Sequence, residues 1–432
     1  MTGSWRFGVV DELNCYLDSP AEPANIHLEA WLTGHLDVEQ LRDAVAAVLA
    51  AQPRARARRA AAGWWRTSYR WTVPPEADCD PVSVTSWRTE PELDEARAGF
   101  LATAPPLDQS PPFRLLLARG NSLDCLILNA NHGAFDGRSC LALMRMIADA
   151  YSTGAGPSPG PACPSSPVQA RGIAAAIPED RAWRVARIAA RPAHRRAPGY
   201  GFRLLQWPGV PLPPGPGSGQ RPRATVNDLL VAALIETIAR WNATLRRPPR
   251  PIRITIPVDV RPSSRDDELG NESALCTVTV RPHDADAGTV TVVSAQTRQA
   301  KQRPGQMVDA AQSAMTKVPL PTPVKRRLFR ASVRCLGRLT CDTSLLSNLG
   351  NVTDPPRFGH LTAERIWFST FAHMPRGLAV GAITVHGRLQ LCFRYRLALF
   401  DDDAAAGFAA MYATALASLV GARTGASAEV NQ

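Results

Sequence analysis

Lysine is almost missing from this chain of 432 residues: Lys301, Lys317 and Lys325 stand among 49 basic residues, so the formal charge of +11 rests nearly all on arginine. Arginine, alanine and proline in this abundance are the mark of a GC-rich genome. The chain has no run of eighteen or more apolar residues, which argues against a membrane span. The opening MTGSWRFGVVDELN lacks the basic-then-apolar order of a signal peptide, so a cytoplasmic protein is expected. There is no CxxC pair, and none of the nine scattered cysteines has a companion histidine at metal-ligand spacing; reduced core thiols and no metal site are expected. Basic residues interleaved with stacking aromatics, the footprint of a nucleic-acid binder, are also wanting. The nearest approach is Ala190 to Arg203, ARPAHRRAPGYGFR, in a Pro-rich stretch that reads as a surface loop.

What is present is alternation of strands and helices, with 45% hydrophobic residues and enough length for two or three domains. IHLEAWLTG places Ile26, Leu28, Ala30 and Leu32 on one face of a strand. Asp37, three residues before Gln40, opens an amphipathic helix ending near Pro53. Trp64 to Trp71, WWRTSYRW, reads as a further strand. From Gly154 to about Arg223, Pro and Gly crowd two stretches around a basic, Ala-rich piece (Pro178 to Arg191) that reads as a short helix. This predicts an N-terminal lobe over 1–155, an interlobe linker over 156–223 and a C-terminal lobe over 224–432. In the last, Thr225 can cap a helix running to about Trp241, IRITIPV and LCTVTV are strands, and GAITVHGRLQLCFRYRL is a hairpin turning at His386–Gly387. Ala404 to Leu419 closes the chain as a helix.

The chemistry concentrates in LILNANHGAFDGRSCLAL, Leu126 to Leu143. A strand ends at Asn131, a helix follows with Cys140, Met144, Ile147, Ala148 and Tyr151 on one face, and His132 to Gly137 is the turn between. Gly133 and Gly137 bracket that turn and let another molecule approach the backbone. An imidazole can take a proton from a hydroxyl or amine near neutral pH. A second-lobe strand, IPVDVRP, ends in Asp259 and Arg261, so a cation is available to pair with Asp136, fix the turn and aim the ring.

NHGAFDG resembles the HHxxxDG signature of the coenzyme A-dependent acyltransferase and condensation-domain superfamily, with Asn131 in place of the first histidine. Asn can still hydrogen-bond there but cannot titrate. Four further pieces follow in the family's order: LTGHLDVEQLRDAVAAVLAAQPRARAR, ATVNDLLVAALIETIARW, IPVDVRPSSRDDELGN and LLSNLGNV, the last like its late Ser-Asn crossover region. The resemblance implies an α/β fold of two chloramphenicol acetyltransferase-like lobes in a V, with a tunnel along their interface and His132 near its middle. It implies His132, Asp136 and Gly137 as the catalytic motif, with Asp136 a structural brace paired with Arg261.

The reaction so implied is direct acyl transfer from an acyl-CoA or phosphopantetheinyl carrier-protein thioester to an alcohol or amine, with His132 as general base and no bound cofactor. A secondary-metabolite setting and a free-standing enzyme are expected, and the basic surface suits a carrier protein or the phosphates of coenzyme A. Asn131, Gly133, Ser347 and Asn348 are the candidate substrate-binding residues; the backbone around Gly133 and the Ser347–Asn348 segment could hold the oxyanion. Cys140 and Ser139 fall within the helix after Gly137, without a GxSxG elbow, and are expected to pack rather than attack. Cyclisation or another rearrangement of a carrier-bound intermediate, and a non-catalytic carrier-binding role, are the alternatives.

Overall fold

The computed structural model describes residues 3–61, 63–160, 184–192, 198–208, 224–261, 265, 267–302 and 316–428. The chain opens with β1 (Ser4–Arg6), α1 (Val9–Leu17), β2 (Asn25–Thr33) and α2 (Val38–Ala51). There follow β3 (Arg58–Arg59), β4 (Arg70–Thr72), β5 (Val82–Ser86), α3 (Glu90–Leu101), β6 (Phe113–Arg119), β7 (Leu123–Asn131) and α4 (Gly137–Thr153). The second half holds β8 (Tyr200–Trp207), α5 (Val226–Thr244), β9 (Ile252–Asp259), β10 (Ser273–Val280), α6 (Thr289–Gln302) and a helix at Thr322–Thr340. It ends with β11 (Ser344–Val352), β12 (Arg357–Phe358), β13 (Leu361–Ser369), β14 (Leu378–Val385), β15 (Arg388–Arg396) and a helix at Asp402–Ala428.

Two six-stranded mixed sheets define two lobes, ordered β12-β13-β2-β7-β6-β5 and β10-β9-β11-β14-β15-β8; β1, β4 and β3 form a small third sheet. In the first lobe Ile26, Leu28 and Ala30 of β2 and Leu126 and Leu128 of β7 face Leu41, Val45 and Val48 of α2 and Cys140, Met144 and Ile147 of α4. In the second, Ile252, Ile254 and Ile256 of β9 meet Leu230, Leu234 and Ile238 of α5 and Phe408 and Tyr412 of the C-terminal helix. The helices start where side chains can cap them: Asp37 Oδ1 accepts the Gln40 N–H at 2.8 Å, and Thr225 and Asp228 exchange backbone and side-chain bonds. The β14–β15 turn is at His386–Gly387, both with positive φ (49° and 71°).

The lobes do not follow the boundaries read from composition. After β11 the chain leaves the second sheet, adds β12 and β13 to the first, where β13 pairs with β2, and returns as β14. Leu361–Ser369 thus belongs to the first sheet. Within the expected linker, Tyr200–Trp207 is an edge strand on β15, because its backbone completes a ladder that the neighbouring prolines would break. Of the basic piece expected to be helical, 184–191 forms no helix; the rest of it, and most of the two Pro/Gly-rich stretches, lie outside the described residues. Trp64 to Trp71 is a strand only at its end, Arg70–Thr72. Asp402–Gly421 is long and apolar enough to cross a membrane, yet Ala405, Phe408, Tyr412 and Leu416 are core residues of the second lobe.

The crossover clamps the lobes where β14 passes β13. A Cβ on Gly381 would lie 1.9 Å from the carbonyl oxygen of Phe368, a backbone atom that cannot swing aside. Gly381→Ala is expected to force the two sheets apart and cost about 3 kcal/mol, read as a lowered urea midpoint for the whole chain.

Candidate active site

Asn131, the last residue of β7, folds the turn that follows it. Its carbonyl accepts the N–H of Ala134 (2.9 Å) and of Phe135 (3.2 Å), its Oδ1 accepts the Gly133 N–H (2.8 Å), and its Nδ2 donates to the Pro105 carbonyl (2.9 Å). The His132 N–H donates to Ala24 O at 2.9 Å and that of Asp136 to Gly270 O at 3.2 Å. Every backbone N–H from 132 to 136 is therefore spent inside the protein. This corrects two expectations: the buried Asn131 amide is a fastener rather than a substrate contact, and Gly133 has no N–H left to hold an oxyanion.

Asp136 caps α4, accepting the Ser139 N–H at 2.9 Å. Its other oxygen receives Arg261 Nη2 at 2.8 Å, the Glu272 N–H at 3.0 Å and the Ser273 hydroxyl at 3.2 Å. Arg261 Nη2 also reaches Ser139 Oγ (2.8 Å) and Gly270 O (2.9 Å), and its Nη1 reaches Asp259 Oδ1 at 3.1 Å. Burial alone would raise the Asp136 pKa, but Arg261 and the two N–H donors outweigh it and hold the carboxyl below its usual range. Gly137 begins the helix and is buried. A Cβ there would come within 2.7 Å of the Phe368 ring and 2.9 Å of Leu349, so its role in this geometry is to let α4 close on the crossover. Cys140 is fully buried with its thiol pKa pushed up by desolvation, and the Ser139 hydroxyl donates to Gly270 O at 2.7 Å; neither is set up to attack.

The imidazole has two unlike nitrogens. Nδ1 lies 3.0 Å from the Phe135 carbonyl and 3.2 Å from Asn14 Nδ2; in the tautomer that bonds the carbonyl, which can only accept, Nδ1 carries the proton. Asn14 of α1 donates to the His132 carbonyl at 3.1 Å, and Asn271 donates to the same oxygen at 2.8 Å, to Gly133 O at 3.1 Å and to Asp11 at 2.9 Å. Nε2 has no hydrogen-bond partner among the described residues, and the residue keeps part of its surface exposed. Phe371, in the loop after β13, packs its ring edge-on at 5.3 Å. Desolvation lowers the His132 pKa, opposed in part by the Asp136 charge, so the neutral ring persists below its ordinary pH range.

Ser347 lies on the interlobe side of β11, between Leu345, which clusters with Phe371, and Leu349, which touches the Gly137 position. Its hydroxyl has no partner among the described residues and is not sealed from solvent. Asn348 points its Oδ1 at the Gly350 N–H (2.9 Å), bridging the bulge where β11 and β14 shift register. Sequence reasoning missed Asn14, Phe371 and the part played by Asn271. Only the Gly-Asn of IPVDVRPSSRDDELGN carried a signal.

Two mixed sheets joined by a two-strand crossover make a fold that the chain shares with solved condensation and acyltransferase domains. No protein-family model matches the chain. The solved structures it resembles include the EpoB cyclization-docking bidomain from Sorangium cellulosum, with TM-score 0.65 and 15% identity over 96% of this chain and 84% of that one. They also include TRI3 trichothecene 15-O-acetyltransferase from Fusarium sporotrichioides, at 0.63 and 12% over 96% and 95%. A third is the wax ester synthase/diacylglycerol acyltransferase from Marinobacter aquaeolei VT8, at 0.60 and 14% over 96% and 100%. By sequence the chain belongs to the family of the uncharacterized protein Rv2305 of Mycobacterium tuberculosis strain H37Rv and its counterpart MT2362 of strain CDC 1551. It is 31% identical to each over 95% of its own length and 99% of theirs.

The brace generates a stability test. Arg261→Ala leaves a buried carboxylate without its cation and is expected to cost about 3–5 kcal/mol at pH 7. Because the Asp136 pKa is lowered in the fold, its contribution is complete above the ordinary carboxylate value near 4 and is lost as pH falls through the lower folded value. Denaturant midpoints measured down the acid limb should fall less steeply for Asp136→Asn than for the parent.

Proposed function

We propose that the protein is an acyltransferase that moves an acyl group from a coenzyme A or carrier-protein thioester to an alcohol or amine, with His132 as general base. The observation that carries this reading is the imidazole itself: Nδ1 is engaged by the Phe135 carbonyl and the Asn14 amide, and Nε2 is left without a partner among the described residues on a partly exposed residue. With the proton on Nδ1, Nε2 offers its lone pair. Nε2 takes the proton of the acceptor's O–H or N–H as the oxygen or nitrogen attacks the thioester carbon. When the tetrahedral intermediate collapses and the C–S bond breaks, the imidazolium returns that proton to the departing thiolate. The proton count balances without an acyl-enzyme or bound cofactor.

With the turn's N–H groups all engaged, the Ser347 hydroxyl is the donor left to meet the oxyanion from the β11 side. Asp136 takes no proton, since its oxygens already accept four hydrogen bonds. Its negative charge favours the imidazolium that forms during attack. Asn131 in place of a first histidine is compatible with this chemistry, because its amide does in this fold what a fastener must and no titration is asked of it.

Incubation with an acyl-CoA panel and alcohol or amine acceptors, followed by mass spectrometry, tests the reaction class. A product heavier than the acceptor by the acyl group is expected. An unchanged mass with altered retention would instead mean rearrangement, and no turnover with any donor would leave a binding role.

His132→Ala should fold like the parent and lose about 10²–10⁴-fold in kcat/KM. Because the His132 pKa is lowered, the parent's activity should hold as pH falls through the usual imidazole value near 6.5 and decline only below it. A limb centred at or above that value would contradict the assignment. Ser347→Ala should lower kcat by about 10²-fold with KM little changed; a loss confined to KM would make Ser347 a binding residue only.

A further inference from the structure

Away from His132, a surface joins two features that the acyl-transfer reading does not use. The helix Thr322–Thr340 carries Lys325, Arg326, Arg327, Arg330, Arg334 and Arg338 and no acidic residue. Lys325 is buried and pins the helix, its Nζ donating to Thr67 O (2.7 Å) and Thr316 O (2.6 Å) and lying 3.7 Å from Glu12. The five arginines have no carboxylate partner among the described residues; Arg326 and Arg330 reach only the backbone carbonyl of Asp18, at 2.7 and 3.4 Å. Desolvation and the neighbouring Arg326 and Arg334 charges lower the Arg330 pKa, against the opposing charges of Asp18 and Glu22.

Between this helix and β3 lies a cleft of about 820 Å³ lined by Arg326, Arg327 and Arg330 of the helix and by Arg58 and Arg59, which pair with Asp78 and Asp108. Trp64 lines it, and apolar side chains on the same turn and helix are held out into water. Trp64 and Trp65 are 73% and 63% exposed, and Val324 and Leu328 on the helix are 39% and 50% exposed. The Thr322 N–H donates to Arg66 O at 2.8 Å, which ties the tryptophan turn to the helix start and makes the two one face.

We propose that this face seats the protein on an anionic lipid surface, with the arginine cleft receiving lipid phosphate groups and Trp64, Trp65, Val324 and Leu328 entering the headgroup boundary. Tryptophan favours the membrane–water interface, where its apolar ring and N–H are both satisfied. Guanidinium forks match phosphate oxygens in pairs, and a basic helix with an exposed apolar stripe is the form that lies in an interface. The recessed cleft favours lipid over an acidic protein. A phosphate on a flexible headgroup can reach between the protruding rings, whereas carboxylates on a folded surface would be held off by them.

Co-sedimentation of the full chain with phosphatidylcholine vesicles, with and without one-third phosphatidylglycerol, tests this at low and high salt. Binding is expected only to the anionic vesicles and should weaken as salt rises. Trp64→Ser with Trp65→Ser should abolish it, and Arg327→Gln should weaken it about fivefold. These side chains are exposed, so unchanged thermal midpoints would show the variants folded, and His132→Ala should bind as the parent does. Equal binding to both vesicles, none to either, or indifference to the tryptophan variants would overturn the proposal. So would a holo carrier protein that shields Trp64 and Trp65 while vesicles do not bind.

Discussion

The ion pair between Asp136 and Arg261 is the constraint on which the arrangement around His132 depends. One partner stands at the head of α4 in the first lobe and the other just past β9 in the second. Removing two charges from water costs several kcal/mol per ion. Here the cost is offset because the carboxylate accepts four hydrogen bonds and the guanidinium reaches Asp136, Ser139, Gly270 and Asp259 together. The pair therefore contributes geometry more than stability. It fixes the start of α4, so the turn has one path back to β7 and the ring has one direction.

The crossover acts on the same point from the opposite side. β13 lies beside β2, whose Asn25 pairs in register with Asn131, and the loop after β13 supplies Phe371 against the imidazole. The first-lobe site is thus finished by chain from the second half, and neither half alone could enclose the ring. Gly381 and Gly137 do the corresponding work in packing, since a side chain at either would hold strand from strand or helix from strand.

Much of this was legible because local signals agreed. The strand–turn–helix around His132, the Thr225 cap and the His386–Gly387 hairpin each follow from neighbours in sequence. What was not legible depends on distant partners. Six of the nine residues of α1 are buried, the polar Asp11, Glu12 and Asn14 among them, so the helix shows no polar face to read. β8 hides among prolines and is a strand only because β15 offers it an edge. The crossover defeats sequence order itself, for β12 and β13 sit between β11 and β14 in the chain yet in the other sheet. Trp64 and Trp65 read as strand residues because aromatics favour strands, but no strand among the described residues pairs with them.

The chain also contains its own comparison for the imidazole. His27, in β2, is fully buried where His132 is partly exposed, and its pKa is likewise lowered by burial. Its Nδ1 lies 3.2 Å from the Ser369 hydroxyl and its Nε2 3.0 Å from Glu29, which is in turn gripped by both arms of Arg97 at 2.6 and 2.8 Å. Both nitrogens are consumed, so that ring can hold strands together but cannot receive a proton from an incoming molecule. The direction of the pKa shift does not tell the two histidines apart. The distinction is one nitrogen without a partner among the described residues, and it exists because Nδ1 faces the Phe135 carbonyl while the N–H groups of residues 132 to 136 are all engaged elsewhere in the protein.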